Sequence, residues 1–448
     1  MIKLAVHALL LAIPLLITGL AVGAQMDEPQ LRRSGFLGVQ VGPVTDDRAS
    51  SGDLQVKSGV LVVGLVEGGS AGAAGFRRGD IIIAMNGNPV DGPAEFARAV
   101  GRLRAGDEVS IRYVRDGAPG VTRVVIRARP LASAPDVATD YRAVAVDGGT
   151  RRTIVTRPKS PGRYPAVLYI TGIGCFSQES IGVQSTESKL LYGLTRRGFV
   201  TMRVEKTGVG DSQGPSCESE RADLQSEVKG YVEGLRALRN YDFVDPENVF
   251  LVGLSIGGVE APLVAQQASV KGIVVINTVA RSFLDYLQDI RRTQRALRKT
   301  PYDVLESNLR INARCNYELF VEHKPVETLL DNEPACGEWV RYPAPRAFMQ
   351  QWAELNPAAQ WKDVSVPVLI LHGEYDFIAS AVDGSYLRDI VESFHAGMAT
   401  QLSVPKMDHY MAHVTSWSES LDKISGMLGE FESSLIDIVG GWLQGHSG

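Results

Sequence analysis

Gly253-Leu254-Ser255-Ile256-Gly257-Gly258 is the stretch that decides the fold. The apolar run Val249-Phe250-Leu251-Val252 precedes it directly, and a helix-compatible stretch, Val259 to Gln267, follows. A buried strand, a sharp turn with serine at its tip and a helix together describe a turn built to present a nucleophile. The flanking glycines have a steric task, because side chains at 253 and 257 would collide with the strand or the helix. The helix N-terminus points its free N–H groups and the positive end of its dipole at the serine oxygen. The plain alternative is an ordinary strand-to-helix turn.

A serine hydroxyl needs a base to take its proton and a group to orient that base. Val366-Pro367-Val368-Leu369-Ile370-Leu371-His372-Gly373-Glu374-Tyr375-Asp376 reads as a buried strand running into a polar turn. Ala399 to Val404 reads as the next strand, and Met407-Asp408-His409-Tyr410 comes after it. On the elbow, the H-G-x-x-D pattern at His372 to Asp376 and the pair Asp408-His409, residues from about 140 to 445 resemble the α/β-hydrolase superfamily. The resemblance implies a mostly parallel sheet and the order nucleophile, acid, base, here Ser255, Asp376 and His409. Glu374 is the alternative acid, and His372 reads as structural. His409 and His413 are four apart and could share a helix face as zinc ligands. There is no H-E-x-x-H and no third ligand nearby, so no metal and no cofactor is expected. Gly208-Val209-Gly210 lacks the lysine and spacing of a phosphate loop and reads as a turn.

An oxyanion hole needs two N–H groups aimed at the developing charge. The resemblance assigns one to Ile256. The other comes from the loop after the strand Ala166 to Ile170, which reads Thr171-Gly172-Ile173-Gly174. The family commonly has His-Gly there. With Thr171-Gly172 in its place, Ile173 is the expected donor and Gly174 the alternative. Gly208 to Pro215 resembles the glycine-rich D-S-x-G loop that packs beside the oxyanion loop in family members.

The chain has 448 residues, enough for two or three domains. A net charge of -5 gives no basic field for nucleic acid. Lys3, the apolar Leu4 to Val22 and the small residues Val22-Gly23-Ala24 read as a signal peptide over 1–24, hence a periplasmic or secreted protein. An uncleaved membrane anchor is the competing reading. Four cysteines in an exported chain favour disulfides over thiols. Cys175 and Cys217 lie in loops after successive strands, and Cys315 and Cys336 in one inserted segment, so Cys175–Cys217 and Cys315–Cys336 are the expected pairs.

Residues 34–130 form a separate module. Phe36-Leu37-Gly38-Val39, the strand Gly59 to Val63, the run from Ala71 through Arg77-Arg78-Gly79-Asp80 to Asn86-Gly87, a helix from Pro93 to Leu103 and a strand from Val109 to Arg115 make it up. The pattern A-x-x-A-G-(F/L)-x-x-G-D-x-I-x-x-(I/M)-N-G resembles the PDZ domains of exported bacterial proteases. It implies a small α+β fold whose open strand edge takes a peptide C-terminus. Phe36, Leu37, Gly38 and Val39 match the carboxylate loop, and Arg32 or Arg33 could add charge or lie in a solvated linker. A closed packing domain is the alternative.

Leu131 to Thr139 reads as a linker, and 140–448 as the hydrolase domain. Asp147-Gly148-Gly149 between two alternating runs is a hairpin signature. About ninety residues between Asn277 and Val368 carry helical patterns at Arg281 to Arg298 and Pro345 to Leu355, which suggests a cap over about 279–362. Arg291-Arg292 and Glu322-His323 could touch substrate or belong to a solvated cap surface. Ile424, Met427, Leu428, Phe431, Leu435 and Ile438 recur at helical spacing, as in a tail helix packed on the sheet.

The expected activity is acyl transfer to water through an acyl-serine, on an ester. A peptide is the competing substrate, since the G-x-S-x-G-G elbow also resembles prolyl-oligopeptidase and serine-aminopeptidase branches. An inactive hydrolase fold serving as a peptide-binding adaptor is the reading of another class. Expected partners are the small-molecule ester or peptide substrate and protein C-termini, with a membrane only if the signal segment stays uncleaved.

Overall fold

The computed structural model describes residues 30–44, 58–132, 134–179, 185–422 and 429–448. The expected signal segment lies outside them, as do Ile424, Met427 and Leu428.

Val137–Val146 (β9), Gly149–Pro158 (β10), Tyr164–Ile170 (β11), Val200–Val204 (β12), Val244–Leu254 (β13), Ile273–Ile276 (β14), Val368–Gly373 (β15) and Ala399–Val404 (β16) form one sheet, counting eight earlier strands given below. Its order is β16-β15-β14-β13-β11-β12-β10-β9. β11 to β16 pair in parallel, and the β9–β10 hairpin is added antiparallel. This is the expected α/β-hydrolase sheet. Alternate residues of its strands enter two separate cores, Leu168 and Ile170 on one face, Val167 and Tyr169 on the other. Helices cover both faces, which is why the strands read as continuous apolar runs. Leu254, Ile276, Leu371 and Leu402 sit at one level across the parallel strands. The residues that follow therefore emerge together at the carboxyl edge, where open α/β sheets bind ligands.

Between β14 and β15 the cap carries the helices Phe283–Leu297, Tyr302–Phe320, Val326–Asn332, Arg346–Ala353 and Pro357–Lys362. Ser282 caps the first, accepting from the Asp285 N–H. Phe283 is the hub of the cap, with ring centroids 4.5 Å from Trp352 and 5.1 Å from Phe320. A disulfide joins Cys315 to Cys336, and a second joins Cys175 to Cys217.

The N-terminal module has its own core around Val60, Val62, Ile82, Phe96 and Ile111. Gly35–Phe36 (β1) pairs with Arg127–Ala128 (β8). Val39–Pro43 (β2), Val60–Leu65 (β3), Ile81–Met85 (β4), Glu108–Arg115 (β6) and Ala118–Val125 (β7) form a sheet in that order, with Asn88–Pro89 (β5) paired to β4. β2 is an edge strand, with the helix Pro93–Gly101 packed beside it.

Three expectations need correction. The supposed linker already contains the start of β9, because Val137 pairs with Pro158. The tail helix is Ser434–His446, and it buries Leu435, Val439 and Leu443. Phe431 belongs instead to a bridge with Ala412, outside the helical period. Arg33 is not solvated linker: Arg32 pairs with Asp107 at the surface, but Arg33 reaches out of the module while also donating to the Arg129 carbonyl. Its guanidinium meets Asp211 at 2.6 Å and Glu179 at 2.7 Å, both buried in the hydrolase domain. The Ser34 N–H donates to Asp211 at 2.7 Å, and Arg152 reaches Asp211 from below. Removing one partner of such a buried network strands the others. Arg33→Ala should cost about 3–5 kcal/mol of stability, and Arg32→Ala, at an exposed pair, under about 1 kcal/mol. Chemical unfolding of both variants measures this, and equal small losses would mean that the module is only loosely attached.

Candidate active site

Ser255 sits between β13 and the helix Ile256–Ala265 with φ 56° and ψ −120°. A non-glycine residue adopts this conformation only when its surroundings hold it there. The Ser255 N–H donates to the Ile276 carbonyl, and the Ser255 carbonyl accepts from Gly258 N–H and the Thr278 hydroxyl, all at 2.9 Å. A Cβ on Gly253 would collide with the Gly257 carbonyl, and one on Gly257 with the Ile170 carbonyl. The two glycines thus do the steric task expected of them.

His409 and Asp376 meet behind the elbow. The imidazole Nδ1 lies 2.9 Å and 3.0 Å from the two carboxylate oxygens, and both residues are buried. Oδ1 of Asp376 also accepts from the N–H groups of Ile378 and Ala379 at 2.8 Å. Glu374 accepts from the Lys406 N–H at the surface, away from His409. His372 is buried, and burial pushes its pKa down. His413 is not on a helix with His409; it pairs with Glu432. Asp408 turns Oδ1 to the N–H groups of Tyr410 and Ala412, and burial pushes its carboxyl up.

Asn277 is the residue that sequence reasoning missed. Its amide donates to the Asp408 and His409 carbonyls at 2.9 and 3.0 Å and accepts from the Gly373 N–H at 2.8 Å. The His409 loop is thereby tied to the strand that leads to Asp376. The available signal was polar Asn277-Thr278 closing a buried apolar strand, with Asn tolerant of positive φ, here 52°.

The loop after β11 is braced from beneath. Lys206 donates to the Gly172 carbonyl at 2.9 Å and pairs with Glu227, and the Thr171 hydroxyl donates to Glu187. Ser177 donates to Glu205 at 2.6 Å, and the Cys175–Cys217 bond ties the loop to the turn after β12. Ile173 and Ile256 line one cavity with Ser255 and His409, whereas Gly174 faces a separate small cavity. The catalytic cavity holds about 470 Å³. The cap roofs it with Phe283, Tyr286, Trp352 and Tyr342, and Arg291 and Arg341 also reach it. Of the charged cap residues that could touch substrate or lie on a solvated cap surface, Arg292 pairs with Glu306 and Glu322 with Lys324, both at the surface.

A family model described as serine aminopeptidase, S33, matches residues 184–413, just over half of the chain and all of Ser255, Asp376 and His409. The chain belongs to the serine aminopeptidase family. That family is one of serine hydrolases, and a PDZ model matches residues 35–125 in front of it. Esterase EstD of Thermotoga maritima is 24% identical over 230 residues, 51% of this chain and 50% of EstD. A probable periplasmic DegP-like serine endoprotease of Rhizobium meliloti is 42% identical over 83 residues, 18% of this chain and 16% of that protein. The chain spans half or less of the length of these two relatives. Among solved structures, Est1E of Butyrivibrio proteoclasticus aligns with a TM-score of 0.43 at 13% identity, covering 69% of this chain and 98% of its own.

In this family member the brace below the oxyanion loop is itself titratable. Burial pushes Glu205 up to about 7 from an ordinary 4.5. The folded value lies above the unfolded one, so neutral Glu205 contributes stability below 4.5, and this is lost as pH rises through about 7. Relative to Glu205→Gln, the wild type should lose about 3 kcal/mol of unfolding free energy across that range. Urea unfolding at several pH values reads the difference, and a flat difference would show that Glu205 titrates normally.

Proposed function

We propose that this chain is an exported carboxylic-ester hydrolase acting through an acyl-Ser255 intermediate, with a PDZ module that gathers peptide C-termini. The observation that supports it most is the pairing of His409 with Asp376 at the wall of the cavity that Ser255 enters. In this reading Ser255 Oγ attacks the ester carbonyl and passes its proton to His409 Nε2. Nδ1–H of His409 stays on Asp376, which orients the ring and stabilises its cation. The N–H groups of Ile256 and Ile173 take the oxyanion, each contributing about 3 kcal/mol. Collapse expels the alcohol, which takes the proton from Nε2. Water, deprotonated by His409, then attacks the acyl group and restores Ser255. A peptidase is the second reading, favoured by the description of the matched family. The apolar Leu4 to Val22 and the two disulfides favour export. No helix among the described residues is long and apolar enough to cross a membrane.

In the PDZ module the Phe36, Leu37 and Gly38 carbonyls are taken by Ser70, Ala71 and Val66, which pins the loop. Gly38 has φ 71° and packs against Gly69 with no room for a Cβ. This leaves the N–H groups of Leu37, Gly38 and Val39 as the proposed carboxylate site beside the free edge of β2.

A fluorophosphonate probe should label Ser255, and Ser255→Ala should abolish the labelling; persistence would move the nucleophile elsewhere. His409→Ala and Asp376→Asn should each remove most ester turnover without adding, because the triad acts as a unit. The PDZ module should bind peptides ending in an apolar residue with a free carboxylate, and amidation should weaken binding by about tenfold or more. Equal affinity for acid and amide in a titration would make the module a packing domain.

A further inference from the structure

The catalytic cavity holds positive charge that the protein leaves unneutralised. Arg281, Arg292, Arg295 and Arg314 of the cap each pair with an acid. Arg291 and Arg341, the two that line the cavity, have no carboxylate partner among the described residues. Arg291 is half-buried, its Nε is buried with no hydrogen-bond partner, and its guanidinium lies 5.8 Å from the Trp339 ring centroid. A buried polar atom left without a protein partner is costly unless water or a ligand meets it, and this one lies beside the cavity. Most of the remaining lining is aromatic and aliphatic, with Thr186 and Gln294 as neutral polar groups and Glu187 as the carboxyl, so the two guanidiniums are the cationic anchors of a largely apolar cavity. Glu187 is on the same wall but already accepts the Thr171 hydroxyl, and burial pushes its carboxyl up. It is a poor receptor for an ammonium group.

We propose that Arg291 and Arg341 bind a carboxylate on the substrate, so that the enzyme prefers acyl substrates bearing an anionic group over neutral or amine-bearing ones. This rests on the reading of Ser255 as the nucleophile. A planar guanidinium matches a carboxylate in two-point geometry; the aromatic surroundings of half-buried Arg291 strengthen its contact, while the exposed Arg341 adds a solvated charge. A cavity so charged is unsuited to a substrate presenting a free α-amino group.

Two ester pairs test it, with the carboxylate on the acyl or the leaving-group side in turn: 4-nitrophenyl hydrogen adipate against 4-nitrophenyl methyl adipate, and 4-acetoxybenzoate against its methyl ester. The acid of at least one pair should exceed its neutral partner in kcat/KM by about tenfold or more. Arg291→Met and Arg341→Met should bring that ratio towards one, while Arg291→Lys keeps part of it. Arg292→Met, on the same helix but paired with Glu306, should leave the ratio intact. Because the ratio is taken within each variant, loss of folded protein cancels. Ratios at or below one in both pairs, or a ratio unmoved by the Arg291 and Arg341 changes while neutral esters are hydrolysed, would overturn the proposal alone. Turnover of no ester at all would overturn the hydrolase reading and this proposal with it.

Discussion

The three residues at the tip of β14 hold the site together. The Ile276 carbonyl takes the Ser255 N–H, Asn277 ties the His409 loop to Gly373, and the Thr278 hydroxyl binds the Ser255 carbonyl. Ser255, Asp376 and His409 lie far apart in sequence, and this one short strand end touches the backbone around all three. Ser255 keeps its unfavourable φ because these bonds over-determine it. The cost of the strained turn is therefore met by a buried polar knot in which the Asn277 side-chain amide uses both its hydrogens and its oxygen.

Around that knot the protein builds two kinds of constraint. Beneath the loop after β11 lies a buried layer of ionisable groups: Lys206, Glu205 and Arg203 bind carbonyls and a hydroxyl of the loop, and Glu227 pairs with Lys206. Above it stands the cap, whose Phe283 and Trp352 line the cavity and whose helical segment is cross-linked by the Cys315–Cys336 bond. The PDZ module joins the same frame. Arg33 and Ser34, immediately before β1, bind Asp211 in the glycine-rich loop after β12 and, through Arg33, Glu179 after β11. The module and the oxyanion side share one buried ion network, so their geometries are not independent.

Much of this was legible in the sequence because it is local. The elbow, the parallel strands and the β9–β10 hairpin follow from apolar runs, glycines and turn signals, and Ala399–Val404 and Val200–Val204 have the bounds read from the residues. The candidate triad was legible for the same reason, as each member closes a recognisable strand. What was not legible depends on distant contacts. Asn277 looks like an ordinary strand end until Asp408 is folded against it. Arg33 looks like linker until Asp211 and Glu179 arrive from the other domain. Arg291 and Arg292 are neighbours in sequence, and only the helix rotation tells which faces the cavity and which meets Glu306. The tail misled because a helical period was continued through Phe431, whose strand-like bridge to Ala412 breaks it.

The central claim is that acyl transfer passes through a covalent bond to Ser255. Rapid acid quench of the enzyme during turnover of an activated ester, followed by peptide mass spectrometry, measures that bond directly. The account predicts a transient mass increase equal to the acyl group on the peptide containing Ser255, appearing before the product acid and decaying as it forms. Turnover with no adduct on that peptide, or with the acyl group on another residue, would contradict it.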